Sequence, residues 1–146
     1  MKKLVTSLSL AAVAVPLSIV ALPTAAHAGD SHARCNGSAV RYCVVLNTTQ
    51  HKVAAQARID DKSSDGRYWV ATQDTRVEYF GLDNKWHLYA YPNGDYDGWK
   101  GNYDYSVVPW RSVGCGKLRA KSTFTWKSAG GGTHTTSLTT FSHTFC

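Results

Sequence analysis

From Val40 the chain alternates with a period of two, placing Val40, Tyr42, Val44 and Leu46 on one face and Arg41, Cys43, Val45 and Asn47 on the other. That period predicts a strand with one buried face. After the polar stretch 47–50 a second alternation sends Val53, Ala55, Ala57 and Ile59 inward and Lys52, Ala54, Gln56 and Arg58 outward. Its alanines suit a helix, but the period is two and the run is short, so a second strand is expected. Residues 60–66 read as a polar turn. Residues 67–73 and 76–80 are rich in aromatic and β-branched side chains, and the intervening Asp74-Thr75 predicts a hairpin between them. A turn over 81–85 leads to another strand, in which Trp86, Leu88 and Ala90 alternate with His87, Tyr89 and Tyr91.

Residues 92–105 contain Pro92, Gly94, Gly98 and Gly101, which excludes a regular central strand and predicts the longest loop of the domain. Beyond it, Leu118, Ala120, Ser122, Phe124 and Trp126 face one way while Lys117, Arg119, Lys121, Thr123, Thr125 and Lys127 face the other. Gly130-Gly131 then supplies a two-residue hairpin turn. A turn centred there sets Cys115 directly opposite Cys146, within disulfide reach. These segments predict an all-β fold, an antiparallel sandwich or small barrel of about seven or eight short strands.

The first 28 residues have a different pattern. Lys2 and Lys3 precede an apolar run over 8–22 broken by Pro16, and Ala26-His27-Ala28 gives the small-x-small pattern of a signal-peptidase site. The run is too short and punctuated for a membrane anchor, so a cleaved signal peptide, 1–28, and a mature chain starting at Gly29 are expected. Residues 29–39 are polar and unpatterned, a flexible lead-in to a single domain over 40–146. Export places the protein outside the cell, where the four cysteines form two disulfides. Cys35–Cys43 and Cys115–Cys146 are the favoured pairs. No C-x2-C spacing or histidine cluster in the sequence supports zinc on the cysteines instead.

Removing residues 1–28 takes two of 16 basic residues and none of the 10 acidic ones, leaving a formal charge of +4 on 118 residues. No acid follows Asp104, so Arg111, Lys117, Arg119, Lys121 and Lys127 make the last third basic. Anionic wall polymers, lipid surfaces, nucleic acid and acidic proteins are all attracted by such a region. Phe124 and Trp126 lie on the face opposite the cations, so stacking and charge are separated and a nucleic-acid partner is disfavoured.

Asn93, Asp95, Asp97 and Asp104 occupy positions 1, 3, 5 and 12 of a calcium-loop pattern with Gly98 at 6, although position 12 is an aspartate in place of the usual glutamate. Asp and Asn bonding their own backbone in a turn explain the same residues. The loop also carries Tyr91, Tyr96, Trp99, Tyr103 and Tyr105, with Tyr89 and Trp110 nearby. Aromatics interleaved with Asp and Asn are the chemistry of sugar-binding faces and protein hot spots. Asp30, His32 and Arg34 of the lead-in join Tyr91, Tyr96, Trp99, Tyr103 and Tyr105 as expected partner contacts.

No G-x-S-x-G or H-E-x-x-H motif occurs. Glu78, the only glutamate, with His87, His134 or His143 and the basic strand makes a secreted nuclease the enzymatic alternative. No cofactor is implied. A signal peptide, a short lead-in, an early cysteine pair and one all-β domain ending in cysteine together resemble small exported actinobacterial proteins. Among these the chain is similar in kind to the adaptor subunits of umbrella toxin particles. That resemblance implies a sandwich that bridges larger subunits and docks its amino-terminal segment into a partner. The expected function is a non-enzymatic, secreted protein-interaction module, with a carbohydrate- or cell-surface-binding module and a hydrolase as alternatives.

Overall fold

The computed structural model describes residues 29–90 and 97–145. Nine strands occur among them: β1 (Asp30–Asn36), β2 (Val40–Thr49), β3 (Lys52–Asp61), β4 (Tyr68–Phe80), β5 (Trp86–Ala90), β6 (Tyr103–Ser112), β7 (Gly116–Ser128), β8 (Thr133–Thr139) and β9 (His143–Phe145). They form two antiparallel sheets, β1-β2-β3-β6 and β5-β4-β7-β8, with β9 extending the β7 ladder beyond β8. The all-β sandwich is as expected, with one more strand than the upper count.

Alternation places the core as read. Val44, Leu46, Val53 and Ile59 of the first sheet and Val70, Val77, Leu118 and Phe124 of the second are fully buried between the layers. Tyr42 links them, its ring centroid 5.3 Å from that of Phe124 and 5.6 Å from that of Trp126. A polar tie crosses the same gap: buried Asp104 on β6 accepts the Thr72 N–H of β4 at Oδ2, 2.7 Å away. Burying a carboxylate is costly unless a donor meets it, so this bond fixes the registration of the sheets.

Three expectations are corrected. Residues 29–39 are not a flexible lead-in: Asp30–Asn36 is β1, paired residue by residue with β2. Its inward positions are Asp30, His32 and Arg34, so the strand carries no apolar alternation to detect. The strand is held by its hairpin. Cys35 lies opposite Cys43 with Cα atoms 4.1 Å apart, and the expected disulfide joins them. Gly37 takes φ 85° at the turn, where an added Cβ would lie 1.9 Å from the Val40 carbonyl oxygen; only glycine fits.

Second, Asp74-Thr75 does not turn the chain. β4 is continuous from Tyr68 to Phe80 and pairs along its length with β7, and the extra residue is absorbed as a bulge between Thr72 and Asp74. The aspartate stabilises that bulge: its Oδ1 accepts the Thr123 N–H at 3.0 Å, and its carbonyl accepts the Ser122 hydroxyl. A polar pair read as a turn is a strand irregularity instead.

Third, the carboxyl-terminal hairpin turns over five residues, from the Lys127↔Thr133 pair, not over Gly130-Gly131 alone. Gly130 has φ 73°, and the Gly131 N–H donates to the Ser128 carbonyl at 3.0 Å. The longer turn offsets the register by one residue, and the break between β8 and β9 restores it. Gly116 therefore faces Phe145, as the sequence register requires. Cys115 is not free, and Cys146 lies outside the described residues.

Candidate functional site

The outer face of the first sheet carries one of the exposed apolar surfaces of the fold, a contiguous row on a single strand; Leu82, Leu88, Trp69 and Phe141 are exposed elsewhere. On β6 the alternation sends Asp104, Ser106 and Val108 inward and Tyr103, Tyr105 and Val107 outward, where they are 49, 53 and 36% exposed. One extra residue in β6 between Val108 and Arg111 shifts the phase, so that Arg111 stands opposite inward Val53 and Trp110, 50% exposed, turns outward. Beside them in register stand Arg58 and Gln56 on β3, then Cys43 and Val45 on β2, then Cys35 and Ala33 on β1. The Cys35–Cys43 disulfide thus lies on this face, and its central rows carry one charged side chain, Arg58.

That charge is immobilised. Arg58 donates to both oxygens of Asp60 at 2.7–3.0 Å and lies over the Tyr103 ring at 4.5 Å. The hydrogen bonds it donates to Asp60 raise the guanidinium pKa further, and Lys62 adds a longer contact to the same carboxylate at 3.8 Å. Cation and ring hold each other, which presents the Tyr103 ring in a fixed orientation without a free charge above it.

Two of the lead-in residues expected to meet a partner, Arg34 and His32, make side-chain contacts within the fold, while Asp30 is exposed. Arg34 donates to the Thr139 carbonyl at 3.1 Å and lies 5.4 Å from the Phe141 ring centroid, and the His32 ring packs against His143 at 4.2 Å. Asp30 shares their side of β1. Tyr91, Tyr96, Asn93 and Asp95 lie outside the described residues. The calcium-loop pattern is corrected at its far end: Asp104 is a buried strand residue bonded to Thr72, while Asp97 pairs with Lys100 at 2.8 Å. Tyr103 and Tyr105 likewise belong to β6 and not to the loop.

Trp99 is half buried under Lys127, whose Nζ is 4.5 Å from the ring centroid. With Trp69, 48% exposed, and the Gly130-Gly131 turn it lines a cleft of about 420 Å³. Nor are charge and aromatic surface separated as the sequence implied. Phe124 and Trp126 do face inward, but Phe80, Trp86 and Trp99 come from other segments to lie beneath Lys117, Arg119 and Lys127.

The nuclease constellation is not assembled among the described residues: His143 stands opposite buried Leu118 on the inner side of the second sheet, away from Glu78. Glu78 is buried on the outer side of the second sheet and receives Arg76 Nε at 2.9 Å and Arg119 Nε at 2.7 Å, so both oxygens serve as acceptors in ion pairs. His87 stacks on Tyr79, whose side of β4 is opposite that of Glu78, and bonds Asp83 at 2.7 Å. That bond holds the Asp83 carboxyl below its usual range. His134 stacks on Trp126, seven residues along β7 from the Arg119 that meets Glu78, a distance of roughly 23 Å at strand spacing.

No protein-family model and no curated sequence matches this chain. Geometry alone therefore ranks the surfaces. Val45 was placed on the outer face without a binding role, and Val107 and Trp69 were not singled out because lone apolar residues in strands are ordinarily core; Val107 was signalled by its alternation with Tyr103 and Tyr105.

Proposed function

We propose that this is an exported, non-enzymatic protein-interaction module that engages another secreted or surface protein through the outer face of the β1-β2-β3-β6 sheet. The observation that carries this reading is the row Tyr103, Tyr105 and Val107 on β6, continued by Trp110, each at least a third exposed on a rigid sheet. Tyr and Trp give large contact area at low entropic cost and dominate the binding energy of protein interfaces. A disulfide-pinned hairpin at the other edge keeps the face from rearranging. The likeness to toxin-particle adaptors fits such a role, with the difference that the amino-terminal segment is a strand of the domain.

The reading includes removal of residues 1–28 and a Cys115–Cys146 disulfide that closes the β7–β9 ladder one residue beyond its last described pair. Non-reducing digestion and mass spectrometry are expected to yield a linked Cys115–Cys146 peptide and an amino terminus at Gly29; a Cys35–Cys115 peptide contradicts the pairing. The Trp69/Trp99 cleft favours a second reading, a carbohydrate-binding module, because two indoles flanking a shallow opening can stack on a sugar ring. Immobilised protein exposed to its own culture fluid distinguishes the two. Stoichiometric retention of one protein, competed by excess free chain, is expected, and retention of polysaccharide alone, lost in Trp99→Ala, supports the second reading against the first.

A further inference from the structure

At one end of the sandwich, the first strand of one sheet meets the last strand of the other. His32 lies opposite fully buried Leu46 on β2, and His143 lies opposite Leu118 on β7, itself 1% exposed. Both imidazoles therefore point to the gap between the sheets, at its rim. Their ring centroids are 4.2 Å apart with 32° between the planes. Asp30 precedes His32 by two residues and so shares its side of β1, and one ligand atom from each of Asp30, His32 and His143 lies within 4.8 Å of the other two. The Nε2 of His32 is buried and has no hydrogen-bond partner. A nitrogen withdrawn from water with no partner carries a cost that a metal bond removes.

We propose that Asp30, His32 and His143 form a binding site for a divalent transition-metal ion, with Zn²⁺ the best match. Two imidazole nitrogens and one carboxylate suit a borderline ion, whereas calcium and magnesium require oxygen shells. Three protein ligands leave the fourth tetrahedral position to water. Metal–ligand bonds of about 2.0–2.2 Å bring tetrahedral ligand atoms to about 3.3–3.5 Å from one another, so binding draws the three groups together by roughly 1 Å. The three-residue strand β9, reached through the break after β8, and Asp30, which opens β1, are suited to that adjustment. Arg34 is the nearest cation on the same side of β1, but its guanidinium is committed to the Thr139 carbonyl and the Phe141 ring. The ion bonds strand β1 to strand β9 and so clasps the two sheets at their rim. This site is independent of the exposed aromatic face.

Tag-free chain beginning at Gly29, stripped with a chelator, is titrated with ZnCl2 by calorimetry and followed by thermal unfolding. One ion per chain and an unfolding midpoint that rises with zinc are expected. Co²⁺ in the same position is expected to give the visible absorption of a four-coordinate ion, a signature that needs no variant. His32→Ala, His143→Ala and the exposed Asp30→Asn are each expected to weaken binding about tenfold or more, while His134→Ala, beside Trp126, leaves it unchanged. Asp30→Asn keeps the test valid if either histidine variant fails to fold. Absence of saturable binding, or unchanged binding in Asp30→Asn and the histidine variants, overturns the proposal.

Discussion

Phe124→Ala is expected to lower the free energy of unfolding by about 3–5 kcal/mol, the cost of removing a fully buried ring whose site cannot collapse. Phe124 lies at the centre of β7, and its ring meets Tyr42 from the opposite sheet. Tyr42 in turn stacks on Trp126, and Trp126 on His134 at 5.5 Å. Deleting the ring therefore opens a cavity between layers and loosens a chain of aromatic contacts that joins them. For a domain of this size the thermal midpoint is expected to fall by roughly 10–20 °C. Urea unfolding followed by circular dichroism measures the effect directly. A loss under about 1 kcal/mol would show that the two sheets are not packed through this ring.

The second large effect is on binding. Tyr105→Ala combined with Trp110→Ala is expected to weaken capture of the protein partner by up to about a thousandfold, because interface aromatics of this kind contribute about 2 kcal/mol each and both lie on the proposed face. Stability should change little. Both side chains are half exposed, and surface substitutions away from caps and networks stay within about 0.5 kcal/mol. The contrast separates the two parts of the account: Phe124→Ala damages the fold, while the double variant spares the fold and damages recognition. Trp99→Ala serves as the comparison, since it alters the Trp69/Trp99 cleft and leaves the sheet face intact. Unchanged capture by the double variant would remove β6 from the interface.

Where one face of a strand is apolar, the sequence was sufficient to locate it. β2 reads inward at Val40, Tyr42, Val44 and Leu46, and β7 at Leu118, Ala120, Ser122 and Phe124, as found. The strands that were missed or cut short share a physical cause: their inward positions are polar. β1 turns Asp30, His32 and Arg34 toward the other sheet, and β6 buries Asp104 and Ser106, so neither shows a run of apolar residues at its inward positions. The bulge at Asp74 imitates a turn because the same side chain serves both, bonding a neighbouring backbone amide in either case. The exposed aromatics were visible as a composition, but which of them face solvent follows from the phase of β6. The cluster of Asp30, His32 and His143 was not legible, because His32 and His143 are 111 positions apart and meet only through the packing of two sheets.

Native mass is the most direct test of the claim that this chain acts by binding another protein. Protein isolated from culture fluid without denaturation, and sized by chromatography with light scattering, is expected to elute in a stoichiometric complex with a second polypeptide identified by mass spectrometry. A monomer that elutes alone at every concentration, and cleaves RNA or DNA or binds only polysaccharide, contradicts the account.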